Sequence, residues 1–330
     1  MNTRYLAILL LVGTTVSCDK VKTLAAKAAT AVSHKIASKA AAGETSTVDA
    51  ELQKLVDQTP EGTLFRKDLP FPTHLEVRST RCDEMDLRIS ESSAIEKRTE
   101  VVKGSQTTIT KLERSGSQVR YTLELSSFAI PAPAKPDGAK KTPDAQPPQV
   151  APPVQPVIFR KSDKTWEAAD SHSFRAAMLS QQLSPVFEQL LVENALATRP
   201  LWFAKRRFKI GDQLDVASDA LPMLLTGNAT GSFTLKLESF EPVEGHPCGV
   251  FSVTGDYSRK QFPDFEGNLT DQDVTIPSGK IWFSLLYPMI LKEELATIQT
   301  FKSGTKGGSV KRGQGSVRIS VTRAWKRLDP

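Results

Sequence analysis

The chain has 330 residues, of which 39% are hydrophobic and 24% are charged, proportions that are typical of a folded globular protein and exclude a fully disordered chain. Its formal net charge is +6 and its sequence pI is near 9.1. This charge suits attraction to an anionic surface or polymer, but it is too small to predict nucleic-acid binding.

The first 18 residues predict an export signal that ends in a lipidated cysteine. Arg4 precedes the apolar run 5–16, and small residues lead into Cys18, an order typical of a secretory signal peptide. The passage resembles the lipobox of bacterial lipoproteins, in which the cysteine is acylated and becomes the first mature residue. The alternative is an ordinary signal peptide in which Cys18 has no role. The run is shorter than the roughly 20 residues that a membrane-spanning helix needs.

Residues 19–60 predict a helical tether that follows this signal. The stretch 20–42 is rich in alanine and lysine, which are strong helix formers. Its lysines are compatible with a helix that lies against acidic headgroups, whereas its alanine-rich apolar face favours a solvated spacer. A second, shorter helix is predicted over 48–57.

Residues 61–330 predict a β-rich domain, because apolar and polar residues alternate over many stretches. Val119, Tyr121 and Leu123 follow the turn 115–117, and with 107–114 they predict an antiparallel hairpin that has one apolar face. Further strands are predicted within 75–89, 157–168, 201–210, 233–253, 281–287, 295–301 and 317–325.

A proline-rich segment, 131–156, interrupts these strands and holds nine of the 21 prolines. Such a composition samples extended states and supplies no sheet ladder. Because strand-like sequence lies on both sides, the segment is interpreted as a disordered insertion in a hairpin loop of one domain. The alternative is a linker between two domains.

The stretch 174–200 predicts a helical hairpin, since Ser184 is a good N-cap and Pro185 suits the first helical position. With about ten strands, the predicted fold class is α+β and strand-dominated, with curved antiparallel sheets packed on this hairpin. The residues expected in that packing are Leu123, Leu285, Val321 and Trp325 from the sheet and Phe187, Leu190 and Leu191 from the hairpin.

The two remaining cysteines, Cys82 and Cys248, form a possible disulfide in an exported protein. The alternative is two separate buried thiols that pack as small apolar side chains. A second candidate site is the Gly- and Lys-rich loop 303–315, where Lys306, Lys311 and Arg312 are possible anion contacts. The alternative for this stretch is a mobile loop between two strands.

No metal site, cofactor or catalytic residue is predicted. The four histidines are far apart, and the zinc patterns H-E-x-x-H and C-x-x-C are missing. The acidic stretch 264–273 is spaced somewhat like a calcium loop, but Gly267 is two positions early and Thr275 stands where a bidentate Glu is required. This stretch is interpreted as a solvated loop.

Several passages resemble a group of bacterial envelope lipoproteins of unknown role, which are built from two similar β-rich halves. They are the lipobox, Arg199-Pro200 through Ile210-Gly211-Asp212, 233–240 with 245–253, and 277–280 leading into 281–287. A more distant similarity is to lipoprotein carriers with an open, curved antiparallel sheet. The resemblance implies a curved sheet that shelters an apolar ligand, and it transfers no catalytic residue.

The predicted function is a non-enzymatic binding or scaffold module, anchored through Cys18 to a bacterial envelope membrane, on the periplasmic side or the outer surface. The expected partners are the membrane and a lipid-like ligand or an envelope protein, with no nucleic acid. One alternative is an exported hydrolase in which His172 or His246 meets a serine and a carboxylate. Another is a binder of anionic envelope polymers that uses the basic residues in 302–327.

Overall fold

A computed structural model describes residues 49–66, 68–69, 72–93, 97–129, 149–150, 156–162, 165–169, 206–217, 229–263, 268–287, 289–304 and 308–328. Cys18, the stretch 20–42, most of the proline-rich segment and the predicted helical hairpin 174–200 lie outside the described residues.

The described chain contains one short helix and fifteen strands. The helix is α1 (Ala50–Lys54), and the strands are β1 (Asp57–Thr59), β2 (Gly62–Leu64), β3 (His74–Ser92), β4 (Lys97–Ser115), β5 (Gln118–Ala129), β6 (Gln149–Val150), β7 (Val157–Ser162), β8 (Thr165–Ala168), β9 (Arg207–Phe208), β10 (Gln213–Ala217), β11 (Ala229–Val243), β12 (His246–Pro263), β13 (Leu269–Ser284), β14 (Ile290–Gly304) and β15 (Val310–Arg327).

Twelve strands form one antiparallel sheet in the order β10-β11-β12-β13-β14-β15-β3-β4-β5-β7-β8, with β6 also paired to β5. The pairing of β15 with β3 joins the C-terminal strands to the N-terminal ones, in a register that runs from Arg327 opposite Leu75 to Val310 opposite Ser92. At about 3.3 Å per residue, the 19 residues of β3 span about 63 Å.

Strand register sorts the side chains onto two faces, because alternate residues of a strand point to opposite sides. We call the apolar side the inner face. Its buried apolar residues include, from β7 to β11, Val157, Phe159, Val119, Tyr121, Leu123, Leu112, Leu75, Val77, Val321, Val317, Leu295, Ile281, Phe283, Phe251, Val253, Leu237, Leu235 and Phe233.

The opposite, outer face carries ion pairs between strands that are adjacent in the sheet or separated by one strand. They include Arg78–Glu124, Lys103–Asp86, Lys111–Glu76, Lys280–Glu238 and Arg318–Glu84, most of them half-exposed. Exposed pairs of this kind add little stability. They keep one side of the sheet polar, which explains the alternation in the sequence.

One end of the sheet is covered by the N-terminal segment, and we call it the capped end. The backbone N–H of Asp49 donates to Gly245 O (2.8 Å), and that of Arg66 donates to Leu285 O (2.8 Å). The ring of Phe65 lies 5.6 Å from that of Phe208 and 5.4 Å from that of Phe251, measured between centroids. Strands β1, β2 and β9 form a separate three-stranded sheet around this contact.

The helix α1 packs on a second apolar cluster at the same end. Leu52 and Leu55 contact a group that contains Val250, Trp282 and Leu291, so the outer face is also buried there. The opposite end of the sheet, which we call the distal end, has the connections after β3, β12 and β14.

The predicted α+β class, with sheets packed on a helical hairpin, is wrong. The described residues are almost entirely β, with five helical residues in α1. The apolar face at β11–β13 is covered by Phe65 and Phe208 instead. Phe187, Leu190 and Leu191, expected in that role, lie outside the described residues.

Several strand predictions are confirmed, and the strands are longer than expected. The hairpin around Gly116 pairs Ser115 with Gln118, and β7 pairs with β8 as predicted. Because β5 also pairs with β7, the strands on both sides of the proline-rich segment belong to one sheet. Most of the predicted loop 303–315 is strand, with Gly304 paired to Val310. The predicted helix 48–57 shortens to α1.

Candidate functional site

The inner face is interrupted midway along its strands by polar side chains, which we call the polar belt. Its members are Arg81 and Asp83 from β3, Tyr257 and Arg259 from β12, Gln272 from β13, and Thr297 and Gln299 from β14. Apolar residues lie on both sides of the belt, for example Val77 toward the capped end and Leu87 toward the distal end. Along β3, the belt residues therefore separate two apolar stretches of the inner face.

Hydrogen bonds connect the members of the belt across three strands. Arg259 Nη2 donates to Gln272 Oε1 (2.7 Å), and Gln272 Nε2 donates to Gln299 Oε1 (3.2 Å). Gln299 Nε2 then donates to Thr297 Oγ1 (3.0 Å), which donates to Val317 O (2.9 Å). These bonds compensate the cost of withdrawing polar groups from water.

Arg81 and Asp83 form the β3 part of the belt. Arg81 Nε lies 3.0 and 2.9 Å from the two carboxylate oxygens of Asp83. Both side chains are partly buried, at 35% and 18% exposure. An ion pair on the inner face costs desolvation free energy that a pair on the outer face does not. This cost is smaller where the interior is polar at the level of the pair.

The register shifts and the charges that act on Tyr257 indicate a sheet that bends toward its inner face. Burial raises the pKa of Tyr257, and the charges of Arg259 and Arg81 act in the opposite direction. Arg81 lies on β3, four strands from β12, and in a flat sheet that separation is about 19 Å. By register both side chains point to the inner face, so an Arg81 charge that acts on Tyr257 indicates a bend toward that face.

Bulges supply this curvature. The pairing register shifts between Ser252 and Gly255 on β12, and between Thr275 and Ser278 on β13. A further shift lies between Ile109 and Thr110 on β4. An extra residue on one strand bends that strand and increases its twist, so a sheet with bulges on several strands curls toward one face.

A second polar pair lies nearer the capped end. Arg323 Nη1 donates to Glu293 Oε1 (2.6 Å) and to Ile290 O (3.0 Å). Both side chains are only 6% exposed. The pair fixes β15 against β14 on the inner face.

At the register level of Thr297, Gln299 and Gln272, the inner face of β3, β4 and β14 also has apolar residues, which are less well buried. Met85, Leu87 and Ile89 alternate along β3, and Val102 and Phe301 lie on the same face of β4 and β14. All five are half-buried. Half-buried apolar side chains on a concave surface are typical lining residues of a ligand site.

His246 and Ser284 form a buried pair at the capped end. His246 Nε2 lies 2.7 Å from Ser284 Oγ, a distance found in nucleophile–base pairs. The same oxygen accepts from the backbone N–H groups of Leu286 (3.0 Å) and Tyr287 (2.9 Å). Burial lowers the pKa of His246 to about 4, so the imidazole is neutral at pH 7.

The surroundings of this pair do not suit hydrolysis. Ser284 is 0% exposed and His246 is 2% exposed, so the hydroxyl is closed to substrate. Nδ1 of His246 has no hydrogen-bond partner in the described part of the chain, whereas a catalytic triad orients this atom with a carboxylate. The rings of Tyr287 and Trp325 pack around His246, which makes the pair a part of the core. His172 lies outside the described residues.

The structure does not bring Cys82 and Cys248 together. Both are free thiols, on β3 and β12. Thr107 lies within hydrogen-bonding distance of the Cys82 sulfur, and Cys248 donates to His246 O (3.4 Å). Burial raises the pKa of both thiols.

The predicted anion contacts are not gathered into one site. Lys306 lies outside the described residues. Lys311 and Arg312 are successive residues of β15, so their side chains point to opposite faces. Lys311 lies opposite Glu91, and Arg312 lies opposite Ser90.

The described acidic residues of the stretch 264–273 bind different partners and do not form one site either. Asp271 accepts hydrogen bonds from Gln261, and Asp273 accepts one from Lys260 (3.1 Å). Within the ranges that the structure covers, no group of three or more His, Cys, Asp or Glu side chains is placed to hold a metal. No helix in those ranges has the length and hydropathy to span a membrane.

The sequence contains one signal for the inner polar groups. Arg323 breaks the apolar alternation of Val317, Ile319 and Val321, and its side chain is buried in the interior. Arg81 and Arg259 give no such signal, because each lies in a stretch where polar residues occupy both alternating sets.

No family model matches this sequence, and no curated protein matches it. One similar solved structure, of lipid-protein interactions in lipovitellin, has 8% identity and a TM-score of 0.32; the match covers 79% of this chain and 26% of that chain. Another, the crystal structure of Pseudomonas aeruginosa OccK8 (OprE), has 9% identity and a TM-score of 0.14, with 76% and 65% covered. This chain thus spans about a quarter of the lipovitellin chain. TM-scores this low assign neither a fold nor a function.

Proposed function

We propose that this chain is a non-enzymatic binding module that shelters an amphipathic, lipid-like ligand against the inner face of its sheet. The observation that carries the proposal is an inner face with buried apolar residues on most strands, in a sheet that register bulges on several strands bend. Half-buried residues such as Leu87 and Phe301 provide contacts for hydrocarbon.

The polar belt provides hydrogen-bonding groups for the polar part of the proposed ligand. An amphipathic ligand has a polar group that must keep hydrogen bonds when it leaves water. Arg259, Gln272 and Gln299 offer donors and acceptors at one level of the interior. A ligand whose polar group lies at this level can place its apolar part against Leu87 and Ile89, which lie level with the belt on β3.

The test uses the full chain with Cys18→Ser, which lacks the proposed acylation site and is purified without detergent. We expect organic extraction and mass spectrometry to recover a lipid-like compound, and a fluorescent fatty acid to bind saturably. Leu87→Arg, on the inner face, lowers the affinity for that probe by about tenfold or more, equivalent to at least ~1.4 kcal/mol.

The matched control is Ile298→Arg, because Ile298 is 54% exposed on the outer face. It introduces the same charge and leaves probe binding unchanged. If the unmodified sheet binds no probe and releases no lipid, or if both substitutions weaken binding equally, the inner face is not a ligand site.

We also propose that the module is held at an envelope membrane by acyl chains on Cys18. The support is the sequence pattern of residues 1–18. In a bacterial host, radioactive palmitate labels the native chain and the membrane fraction contains it. Cys18→Ala removes both the label and the membrane association. A native chain that is exported without label contradicts the anchor and leaves the ligand proposal standing.

A further inference from the structure

The positive charge of Arg259, in the polar belt, lies beside neutral groups. Its Nη2 donates to Gln272 Oε1 (2.7 Å), and its Cζ lies 5.9 Å from the ring centroid of Tyr257. Burial lowers the pKa of Arg259, and Tyr257 offsets only a part of this effect. The surroundings therefore disfavour the positive charge, which an arginine nevertheless keeps at pH 7.

The other arginine of the belt is compensated within the belt. Arg81 Nε lies 3.0 and 2.9 Å from the two carboxylate oxygens of Asp83, so this pair contributes no net charge. The charges of Arg259 and Arg81 both act to lower the pKa of Tyr257, against the effect of its burial. The phenol therefore lies in a region of positive potential. Because Tyr257 is only 7% exposed, water screens this potential weakly.

The hydrogen-bond chain that begins at Arg259 is richer in donors than in acceptors. Arginine has no acceptor, so Gln272 presents its oxygen to Arg259 and its Nε2 to Gln299 (3.2 Å). For the same reason, Gln299 presents its Nε2 to Thr297 Oγ1 (3.0 Å), which donates to Val317 O. Each oxygen of these side chains thus already accepts a bond, whereas a guanidinium has five N–H groups and an amide has two. A ligand group that only accepts hydrogen bonds suits this chain.

Apolar side chains continue from Arg259 across the sheet at one register level. Gln272 lies opposite Arg259, and Phe301 lies opposite Gln272. Gly313 follows on β15 and Ile89 on β3. A Cβ added at Gly313 would overlap the ring of Phe301, so this ring lies over β15. A hydrocarbon chain that follows this row contacts Phe301 and Ile89.

We propose that the ligand of the inner face has a single ionised carboxylate, which Arg259 binds. The inference rests on the proposed function, and it names long-chain fatty acids as the class of ligand. A carboxylate only accepts hydrogen bonds, matches the fork of a guanidinium and neutralises a charge that burial disfavours. A neutral alcohol leaves that charge uncompensated, and an amine adds a second one.

The charge of the belt favours a carboxylate over a phosphate monoester. A phosphate monoester carries about −1.5 to −2 charges at pH 7. Arg259 compensates one negative charge, and Arg81 is already paired with Asp83. The second charge of a phosphate would therefore be withdrawn from water without a cation, which is costly.

The test compares three ligands that have the same alkyl chain, with the full chain carrying Cys18→Ser as the protein. Dodecanoate, 1-dodecanol and dodecyl phosphate are titrated by calorimetry at pH 7, below the concentrations at which they form micelles. We expect dodecanoate to bind about tenfold or more tightly than either of the others, since hydrogen bonds to charged groups are the strong ones. This comparison does not depend on the folding of any variant.

Variants then identify the residue that selects the carboxylate. Arg259→Gln lowers the affinity for dodecanoate by about tenfold and leaves that for 1-dodecanol within about threefold. Arg259→Lys keeps the charge and retains a part of the preference. Ile89→Ala lowers the affinity for both ligands by a similar factor, because it removes contact with the alkyl chain alone.

The matched control is Arg88→Gln, which removes the same group from an exposed position on the outer face. It changes the net charge equally and leaves both affinities unchanged. Thermal unfolding of each variant verifies folding.

Equal affinities for dodecanoate and 1-dodecanol overturn the inference and leave the ligand proposal standing. The same holds if Arg259→Gln weakens both ligands by one factor, because this indicates a structural role for the arginine. Tighter binding of dodecyl phosphate indicates a phosphate head and also overturns the inference. If none of the three ligands binds, the ligand proposal itself fails, and this inference fails with it.

Discussion

Arg323 and Glu293 form an ion pair inside the sheet, with 2.6 Å between Nη1 and Oε1 and 6% exposure for each side chain. Arg323 also donates to Ile290 O, at the start of β14. Burying two charges costs several kcal/mol per ion, and their attraction only balances that cost when the geometry is good. Loss of one partner therefore leaves a charge with a large uncompensated penalty.

We predict that Arg323→Met lowers the free energy of unfolding by about 3–5 kcal/mol. The double variant Arg323→Met with Glu293→Leu recovers most of this loss, because no buried charge remains. Arg78→Met is the control; it removes the exposed partner of Glu124 and costs at most about 1 kcal/mol. Urea denaturation measures all three. Equal losses at Arg323 and Arg78 would show that the inner pair is solvated.

His246 makes stability depend on pH. Its folded-state pKa is about 4, against 6.5 for an ordinary histidine, because burial disfavours the charged ring. The unfolded chain therefore binds the proton more readily. The stability from a neutral His246 is fully present above pH 6.5, falls as the pH drops below that value, and is lost through pH 4.

We predict that acidification from pH 7 to pH 4 removes about 3 kcal/mol of stability through His246, at 1.36 kcal/mol per pKa unit. His246→Gln abolishes this component while leaving the contribution of the carboxylates. Urea denaturation at a series of pH values measures the difference between the two slopes. Parallel curves for the native chain and the variant would mean that the ring is protonated in the folded state.

Strand positions could be predicted from sequence where one face is apolar. Val119, Tyr121 and Leu123 alternate with polar residues because the inner face is dry and the outer face is wet. Strand lengths could not be predicted in the same way, because charged residues and glycines in 302–315 replace the apolar residues of an alternating pattern. There the ladder is completed by cross-strand pairing with β3, and no local pattern encodes that pairing.

The candidate site was less predictable than the strands. Arg81 and Tyr257 are 176 positions apart in the sequence, and only the pairing of β15 with β3 places them on one face of the same sheet. The predicted helical packing failed for a related reason. The covering rings, Phe65 and Phe208, lie in short segments without a periodic pattern.

A substitution at Gly255 tests whether the bulge on β12 is needed for the fold. Its φ is +144°, a region that side chains rarely adopt, and an added Cβ would overlap the carbonyl oxygen of Ser232 on β11. We predict that Gly255→Ala lowers the free energy of unfolding by about 2–5 kcal/mol, from backbone strain and overpacking together.

The matched control is Gly304→Ala, because no atom lies within 4 Å of a Cβ added at Gly304. It changes stability by at most about 0.5 kcal/mol, as surface substitutions do. Thermal or urea denaturation compares the two. If Gly255→Ala is as stable as Gly304→Ala, β12 pairs with β11 without the bulge, and the argument for a bent sheet weakens.

Cys82 and Cys248 provide a chemical measure of the same geometry. Four strand spacings, about 19 Å in a flat sheet, separate β3 from β12, and Cα atoms joined by a disulfide lie within about 7 Å. Both side chains belong to the outer face, where curvature toward the inner face moves them further apart. We therefore predict that non-reducing peptide mapping recovers both as thiols.

Their alkylation rates in the folded protein should differ strongly. Cys248 is 2% exposed, and burial raises its pKa. Cys82 is half-buried, and its pKa is also raised by burial. Because iodoacetamide attacks the thiolate and Cys248 must first be exposed by local opening, we predict a rate at least about a hundredfold below that of Cys82. In urea the two rates converge. A Cys82–Cys248 cross-link, or equal rates in the native protein, would contradict the strand order on which the curved interior depends.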